Sequence, residues 1–233
     1  MIRTAILGLT HDHVWDHLPD LVASDDIELV GAAEPRTDVR ERFQREFNRP
    51  AHESFDVVLE DDSLEAVWIF SDNRAGAELA CAALDRNLHV VIEKPMADRL
   101  SQADTMVAAA RRNDKHLIVN WPFAWWPQLQ HALHLTAEGA IGDVWQVRYR
   151  AAHAGPRELG CSDAFCDWLF DPQRNGQGGA LVDYCCYGSL LAAIAMGLPC
   201  RVTGVSGRLT KQDICVDDNA VVIMEYALSL IHI

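Results

Sequence analysis

The sequence has no apolar run close to the roughly 20 residues that a membrane-spanning helix needs, and residues 1–9 are too few for the apolar core of a signal peptide. It is also poor in basic residues, since 20 Lys and Arg stand against 34 Asp and Glu for a formal net charge of −14. Such a chain repels phosphate backbones and anionic lipids. We therefore expect a cytoplasmic protein with neither nucleic acid nor a membrane as partner.

Paired cysteine motifs are absent too. The 7 cysteines are odd in number and form no pair of CxxC motifs, which argues against a structural zinc site and for reduced, mostly buried thiols. Cys161, Cys166, Cys185 and Cys186 could meet around an ion, but free cysteine is a common core residue and adjacent Cys185 and Cys186 are awkward ligands for one metal. We expect no bound metal.

The chain does carry enough apolar residues for a core, and they alternate regularly. Its 233 residues, 49% of them hydrophobic, suit one large domain or two small ones. Predicted strands at residues 4–7, 27–33, 66–70, 89–92 and 116–120 alternate with predicted helices at residues 14–22, 37–47, 75–84 and 101–112. Because strands that are apolar on both faces belong to sheets covered on both sides, residues 1–120 predict a Rossmann-like, doubly wound parallel sheet of the α/β class.

In such sheets ligands bind beyond the carboxyl ends of the strands. The loop after the first strand, Gly8, Thr10, His11, Asp12 and His13, stands where a dinucleotide-binding loop presents backbone N–H groups to a pyrophosphate. Only Gly8 fits the glycine pattern of that loop. Thr10 could donate its hydroxyl to phosphate, and the histidines could cover it.

Glu34 follows the second strand, where an acidic residue accepts hydrogen bonds from the adenosine ribose hydroxyls. A carboxylate there repels a 2′-phosphate and favours NAD over NADP, although Arg36 could offset part of the repulsion, so NADP stays possible. The alternative interpretation makes Glu34 an exposed acid at a strand end.

The pattern changes after residue 120. Trp121, Phe123, Trp125 and Trp126 lie among two prolines, which predicts a domain boundary with aromatics that either line a substrate pocket or pack between domains. Predicted helices at residues 128–138 and 189–196 accompany predicted strands at residues 144–150, 202–209 and 220–226. Residues 121–227 thus predict an α+β domain with an open, mainly antiparallel sheet.

Asp183 and Tyr187 are spaced i and i+4, so on one helix they would project from the same face. An acid and a phenol so placed could orient and exchange a proton. The other interpretation makes Asp183 a helix cap and Tyr187 a core aromatic.

Three segments together resemble the Gfo/Idh/MocA oxidoreductases. They are the strand ending in Glu93-Lys94-Pro95, the run Gly-Gly-Ala-Leu-Val-Asp at residues 178–183, and the turn at residues 141–144. The resemblance covers nearly the whole chain. It implies an NAD or NADP cofactor, hydride transfer between the nicotinamide and a hydroxyl-bearing carbon of a sugar, polyol or related substrate, and a homo-oligomer.

The resemblance also implies roles for single residues. Lys94 would stabilise charge on the reacting oxygen, Asp183 would bind substrate or steady the lysine, and Tyr187 takes the acid/base position that is usually His. Ser71 and Asn73 stand in the family's cofactor-contacting segment after the third long strand, and Glu93 and Pro95 flank Lys94 at the cofactor.

Departures from the family pattern leave two alternatives open. Thr10 in the phosphate loop and the loss of a Pro and a His at residues 71–76 are compatible with a relative that binds the cofactor but lacks activity. His11 and His13, with His17, could instead ligate zinc as in a metal-dependent hydrolase.

Members of the family are longer than this chain. Residues 228–233 resemble the translation of an adapter used in sequencing libraries, so we expect a truncated reading frame whose native sequence ends near Ala227 and whose second domain is incomplete.

Overall fold

The computed structural model describes residues 1–227. These residues form two compact units, one made of residues 1–120 and 156–177, the other of residues 121–155 and 178–227. The suspected adapter tail at residues 228–233 lies outside the described residues.

The first unit contains a six-stranded sheet in the order β3-β2-β1-β4-β5-β6, and every neighbouring pair runs parallel. Its strands are β1 (Ile2–Leu7), β2 (Ile27–Ala33), β3 (Ala51–His52), β4 (Ala66–Ile69), β5 (His89–Glu93) and β6 (Leu117–Asn120). Its helices are α1 (His13–Ala23), α2 (Thr37–Phe47), α3 (Phe55–Leu59), α4 (Asn73–Asp85) and α5 (Leu100–Arg112). The predicted doubly wound parallel sheet is confirmed.

Two apolar cores lie on opposite faces of this sheet. Ala5 and Leu7 of β1 join the core that includes α4 and α5, whereas Ile6 joins the core that includes α1 and α2. Successive side chains of a strand point to opposite faces, so burial on both faces requires the continuous apolar run that the sequence shows. All three side chains are fully buried.

Residues 156–177, here called the return segment, belong to the first unit. They contain α7 (Asp163–Leu169) and α8 (Pro172–Asn175), which the sequence did not predict. The sequence placed the whole range 121–227 in one domain. The structure differs there because Trp168 and Asn175 of the return segment are buried and hydrogen-bond within the first unit.

The second unit has a short 3₁₀ turn (Pro122–Trp125), α6 (Pro127–Ala137), α9 (Ala180–Asp183), α10 (Cys185–Met196) and the strands β7 (Arg201–Gly207) and β8 (Asn219–Glu225). The two strands pair antiparallel, with Thr203 opposite Ile223. The predicted strand at residues 144–150 is wrong, because that stretch has no strand partner within the described residues: β7 and β8 pair only with each other.

The cysteines are all free thiols, as predicted, but the prediction of mostly buried thiols is wrong. Cys166 alone is buried, and Cys200 and Cys215 are exposed. Burial raises the pKa of the Cys166 thiol to about 11.

No single helix among residues 1–227 is long and apolar enough to cross a membrane. One bent pair, residues 172–183 with 185–196, passes that test together, by length and composition only.

Candidate cofactor and active site

The loop after β1 turns sharply at Gly8. Its φ is +82°, and a Cβ there would lie 2.7 Å from the Cβ of Ser71, so only glycine fits this crossing of two loops. The Gly8 N–H donates to the Ala33 carbonyl at 2.8 Å and the His11 N–H to the Phe70 carbonyl at 2.9 Å. Within residues 1–227 no hydrogen bond engages the N–H groups of Thr10 and Asp12, and α1 begins directly after them. This arrangement suits an anion such as pyrophosphate.

His11 is buried in this loop and accepts a hydrogen bond from the first residue of α1. Its Nδ1 accepts the N–H of His13 at 3.3 Å, and its ring meets Phe165 edge-on, with the ring centres 4.9 Å apart. Burial first, then the nearby charges of His13, Lys94 and His17, hold its pKa well below the usual value of 6.5. His11 is therefore neutral at physiological pH, and because Nδ1 accepts a hydrogen bond, its proton lies on Nε2.

Glu93 ends β5 and organises the polar groups around it. One carboxylate oxygen accepts the Lys94 N–H at 3.0 Å, and the other accepts the side-chain amide of Asn120, which also contacts Nε2 of His17 at 3.0 Å. Nδ1 of His13 lies 3.2 Å from the first oxygen. Glu93 thus links the loops after β1, β5 and β6.

His11, His13 and Glu93 offer ligand atoms that lie within 4.8 Å of one another. A metal at Nδ1 of His11 would displace the His13 N–H, whereas a metal at Nε2 would drive the ring proton onto Nδ1, where it would face that same N–H. All three residues could therefore hold a metal together only if the contact between His11 and the His13 N–H were broken. The metal-dependent hydrolases that share this histidine spacing are eight-stranded barrels, whereas the sheet here is open and has six strands.

Glu34 lies at the end of β2 and is only 3% exposed, so its interpretation as an exposed strand-end acid is wrong. Its two oxygens accept the N–H groups of Leu9 at 2.7 Å and Arg36 at 2.8 Å. Burial raises the pKa of Glu34, and the two N–H groups oppose that shift. Glu34 therefore connects the loop after β1, through Leu9, with the segment after β2, through Arg36.

Arg36 directs its guanidinium to carboxylates. It donates to Asp38 at 3.0 and 3.2 Å and to Asp167 of α7 at 2.9 Å. The guanidinium lowers the pKa of Asp38 in turn.

Ser71 and Asn73 flank the start of α4. Asp72 between them caps the helix by accepting the Ala75 N–H at 2.8 Å and pairs with Arg174 at 2.9 Å. The side-chain amide of buried Asn73 donates to the Asn175 carbonyl at 2.9 Å. The predicted cofactor residue Asn73 is thus held by the return segment.

The return segment also reaches the phosphate loop. The Trp168 indole N–H donates to the Thr10 carbonyl at 3.2 Å, and the Asp12 carboxylate accepts both the N–H and the hydroxyl of Ser162 at 2.6 Å. The sequence pointed to none of these partners, because each contact joins residues about 150 positions apart or more.

Lys94 follows Glu93 at the carboxyl end of β5. It is 4% exposed, and the Lys94–Pro95 peptide bond is cis. Its charge is one of the influences that lower the pKa of His11.

In the second unit, Asp183 and Tyr187 do not share one helix. The chain breaks at Tyr184, which ends α9 and precedes α10, so the expected i and i+4 alignment is wrong. The Tyr187 ring stacks on Phe123 with centres 4.5 Å apart and meets Trp121 edge-on at 5.3 Å. Of the four aromatics predicted to line a pocket, Trp125 and Trp126 are exposed.

Asp217 holds the glycine-rich start of α9, a role that sequence reasoning missed. Its carboxylate accepts the N–H of Gly179 at 2.9 Å and of Leu181 at 2.8 Å. A Cβ on Gly179 would lie 2.0 Å from the Asp217 carbonyl oxygen, which explains glycine at that position.

Comparisons with known proteins agree with this architecture. A family model described as the NAD-binding Rossmann fold of the GFO/IDH/MocA oxidoreductase family matches residues 2–121, and the C-terminal domain of the same family matches residues 129–231. A curated relative, the dTDP-3,4-didehydro-2,6-dideoxy-alpha-D-glucose 3-reductase of Actinomadura kijaniata, is 28% identical over 94% of this chain and 64% of its own length.

Two solved structures are also similar. KijD10, a 3-ketoreductase from Actinomadura kijaniata in complex with NADP and TDP-benzene, has a TM-score of 0.68 and 25% identity over 88% of this chain and 59% of its own. The WlbA dehydrogenase from Chromobacterium violaceum with NADH and UDP-GlcNAcA has a TM-score of 0.81 over 97% of this chain and 64% of its own, at 19% identity, which shows a shared fold. This chain spans less than two thirds of the length of each of these relatives.

Proposed function

Because this chain belongs to the GFO/IDH/MocA oxidoreductase family, we propose that it is an NAD(P)-dependent oxidoreductase acting on a hydroxyl-bearing carbon of a sugar, polyol or related compound. One observation carries the proposal. The loop before α1, which suits a pyrophosphate, and buried Lys94 after β5 lie at the same edge of the first unit's sheet. Relatives named as a sugar 3-reductase and a D-xylose 1-dehydrogenase support this substrate class.

The residues after β1 and β2 fit the proposed cofactor. The N–H groups of Thr10 and Asp12 and the positive end of α1 would bind the pyrophosphate, with His11 and His13 covering it. Glu34 and Arg36 would face the adenosine ribose, and Ser71, Asn73, Glu93 and Pro95 would complete the cofactor site.

A nicotinamide held by these residues would supply the hydride chemistry. Lys94 is proposed to donate a hydrogen bond to the reacting oxygen and to stabilise the negative charge that develops there, as a compact ammonium can. A buried position suits this role because it keeps water away from that charge.

In the second unit, Tyr187 is proposed to exchange the substrate proton, and Asp183 to bind the substrate or steady the lysine. Aromatic contacts with Trp121 and Phe123 orient the Tyr187 ring. Trp121, Phe123, Trp125 and Trp126 are proposed to line the substrate pocket.

We propose a homo-oligomer assembled through the β7–β8 pair. Three exposed apolar side chains, Val205, Val221 and Ile223, lie on one face of this pair. Exposed apolar patches of this kind mark protein interfaces. Light scattering coupled to gel filtration tests this: a strictly monomeric chain at all concentrations would contradict it.

The function is tested by titrating the full chain with NADH and NADPH while following nicotinamide fluorescence, and then by following nicotinamide absorbance with a panel of sugars, polyols and nucleotide-linked keto sugars. Binding together with substrate-dependent oxidation or reduction is the expected result. Tight binding without turnover on any substrate favours the alternative, a cofactor-binding relative that lacks activity, which the departures at Thr10 and residues 71–76 support.

A further inference from the structure

The side chains that follow β2 bear on the choice between NAD and NADP. The two dinucleotides differ by a phosphate on the adenosine 2′ oxygen, and Rossmann proteins that accept this phosphate use an arginine near the end of the second strand. Arg36 stands at that place. Arg40, one helical turn on, is engaged by the carbonyls of Glu34 at 2.7 Å and Pro35 at 3.0 Å.

Arg36 has two carboxylate partners, and they come from different parts of the chain. Asp38 belongs to the first turn of α2, whereas Asp167 belongs to α7 of the return segment, 131 positions away. Between them they accept from all three guanidinium nitrogens of Arg36. One N–H group on each Nη remains beside these three bonds. A 2′-phosphate would therefore have to bind Arg36 next to both carboxylates or displace one of them.

The negative charge around Arg36 also disfavours a 2′-phosphate. Asp38 and Asp167 accept from the Arg36 guanidinium, whereas Glu34 accepts the Arg36 backbone N–H and its carbonyl accepts from Arg40. Three carboxylates therefore lie beside two guanidiniums, and the cluster is acidic on balance. The Asp38 and Asp167 side chains are 66% and 60% exposed, so both carboxylates face the solvent from which a dianionic phosphate would approach.

We propose that Asp38 and Asp167 withhold Arg36 from the 2′-phosphate and make this chain selective for NAD(H) over NADP(H), with Asp167 as the specificity-determining residue supplied by the return segment. This inference rests on the proposed function, because it concerns the cofactor of that same site.

The test compares dissociation constants for NADH and NADPH, measured by nicotinamide fluorescence on the full chain. The wild type is expected to bind NADH about tenfold or more tightly than NADPH. Asp167→Asn should tighten NADPH binding about tenfold, equivalent to about 1.4 kcal/mol, and leave NADH within about twofold, because it removes a negative charge that competes with the 2′-phosphate for Arg36 and that NADH does not meet. The D38N/D167N double variant should shift the ratio further.

Two controls separate this effect from a structural one. Asp163→Asn, which makes the same charge change at the start of the same helix, should leave the NADH-to-NADPH ratio unchanged. Adding Arg36→Ala to Asp167→Asn should abolish the gain in NADPH affinity, because the gain needs the released guanidinium. Thermal melting checks that every variant is folded.

Equal changes in both affinities for Asp167→Asn, or equal affinities in the wild type, would overturn the inference while leaving the proposed function intact. Folded wild-type protein that binds neither dinucleotide would overturn both.

Discussion

At the scale of single residues, His11 shows how burial sets protonation. The fold lowers its pKa, whereas in the unfolded chain the ring titrates near 6.5. As the pH falls through 6.5 the unfolded chain gains a proton that the folded chain refuses, so the contribution of His11 to stability is present above that pH and is lost below it. His13, Lys94 and His17 are the neighbouring charges that add to this effect.

We expect His11→Asn to flatten the pH dependence of stability. Asn keeps an oxygen that can accept the His13 N–H but does not titrate. The free energy of unfolding is measured by denaturant titration between pH 7.5 and 5. As the pH falls, this free energy should decrease less steeply in the variant than in the wild type, by up to about 1.4 kcal/mol per pH unit. The matched control is exposed His52, whose His52→Asn variant should keep the wild-type slope. A slope unchanged by His11→Asn would contradict a neutral, buried His11.

At the scale of elements, the sequence predicted what local pattern determines. β2 was predicted at its observed bounds because its apolar run ends sharply at Glu34 and Pro35. The strand predicted at residues 144–150 is wrong. Alternation of apolar and polar residues is a property of a single segment, whereas a strand forms only when a second segment pairs with it. The predicted shared face of Asp183 and Tyr187 is wrong because the spacing i and i+4 aligns side chains only within one continuous helix, and the helix is interrupted at Tyr184.

That glycine turn makes a prediction about Asp217. Asp217→Asn should lower stability by about 1–3 kcal/mol, because an amide is a weaker acceptor than a carboxylate for the N–H groups of Gly179 and Leu181. It should also lower turnover at saturating cofactor, because α9 carries Asp183. The neighbouring Asp218→Asn is the control, since Asp218 accepts the N–H groups of Leu209, Thr210 and Lys211 instead. Equal loss of turnover in both variants would contradict a specific role of Asp217 in positioning α9.

At the scale of the whole molecule, the return segment is the feature that no local pattern could reveal. It brings Ser162, Trp168 and Asn175 to loops that the sequence already connected with the cofactor. The loops themselves were predictable, since the carboxyl ends of parallel strands meet at one edge of a sheet. Their partners were not, because contacts between distant residues leave no periodic signal.

Ser162→Ala tests whether the return segment supports the phosphate loop. Ser162 caps α7 through the Phe165 N–H and also donates its hydroxyl to Asp12, so its loss should cost about 1 kcal/mol of stability and weaken NADH binding severalfold. Ser54→Ala removes a cap of the same kind from α3 and should cost similar stability without affecting NADH. Calorimetric melting and fluorescence titration measure the two effects. Equal NADH affinity in both variants would show that Ser162 caps α7 but does not support the phosphate loop.

We propose that this chain performs nicotinamide-dependent hydride transfer with Lys94 at the reacting oxygen. Turnover and NADH affinity measured side by side for the wild type and Lys94→Ala test it most directly. We expect the folded variant to bind NADH within a few fold of the wild type and to lose at least about a hundredfold in turnover, the scale of a lost transition-state hydrogen bond. Turnover retained by Lys94→Ala would show that Lys94 does not act at the reacting oxygen.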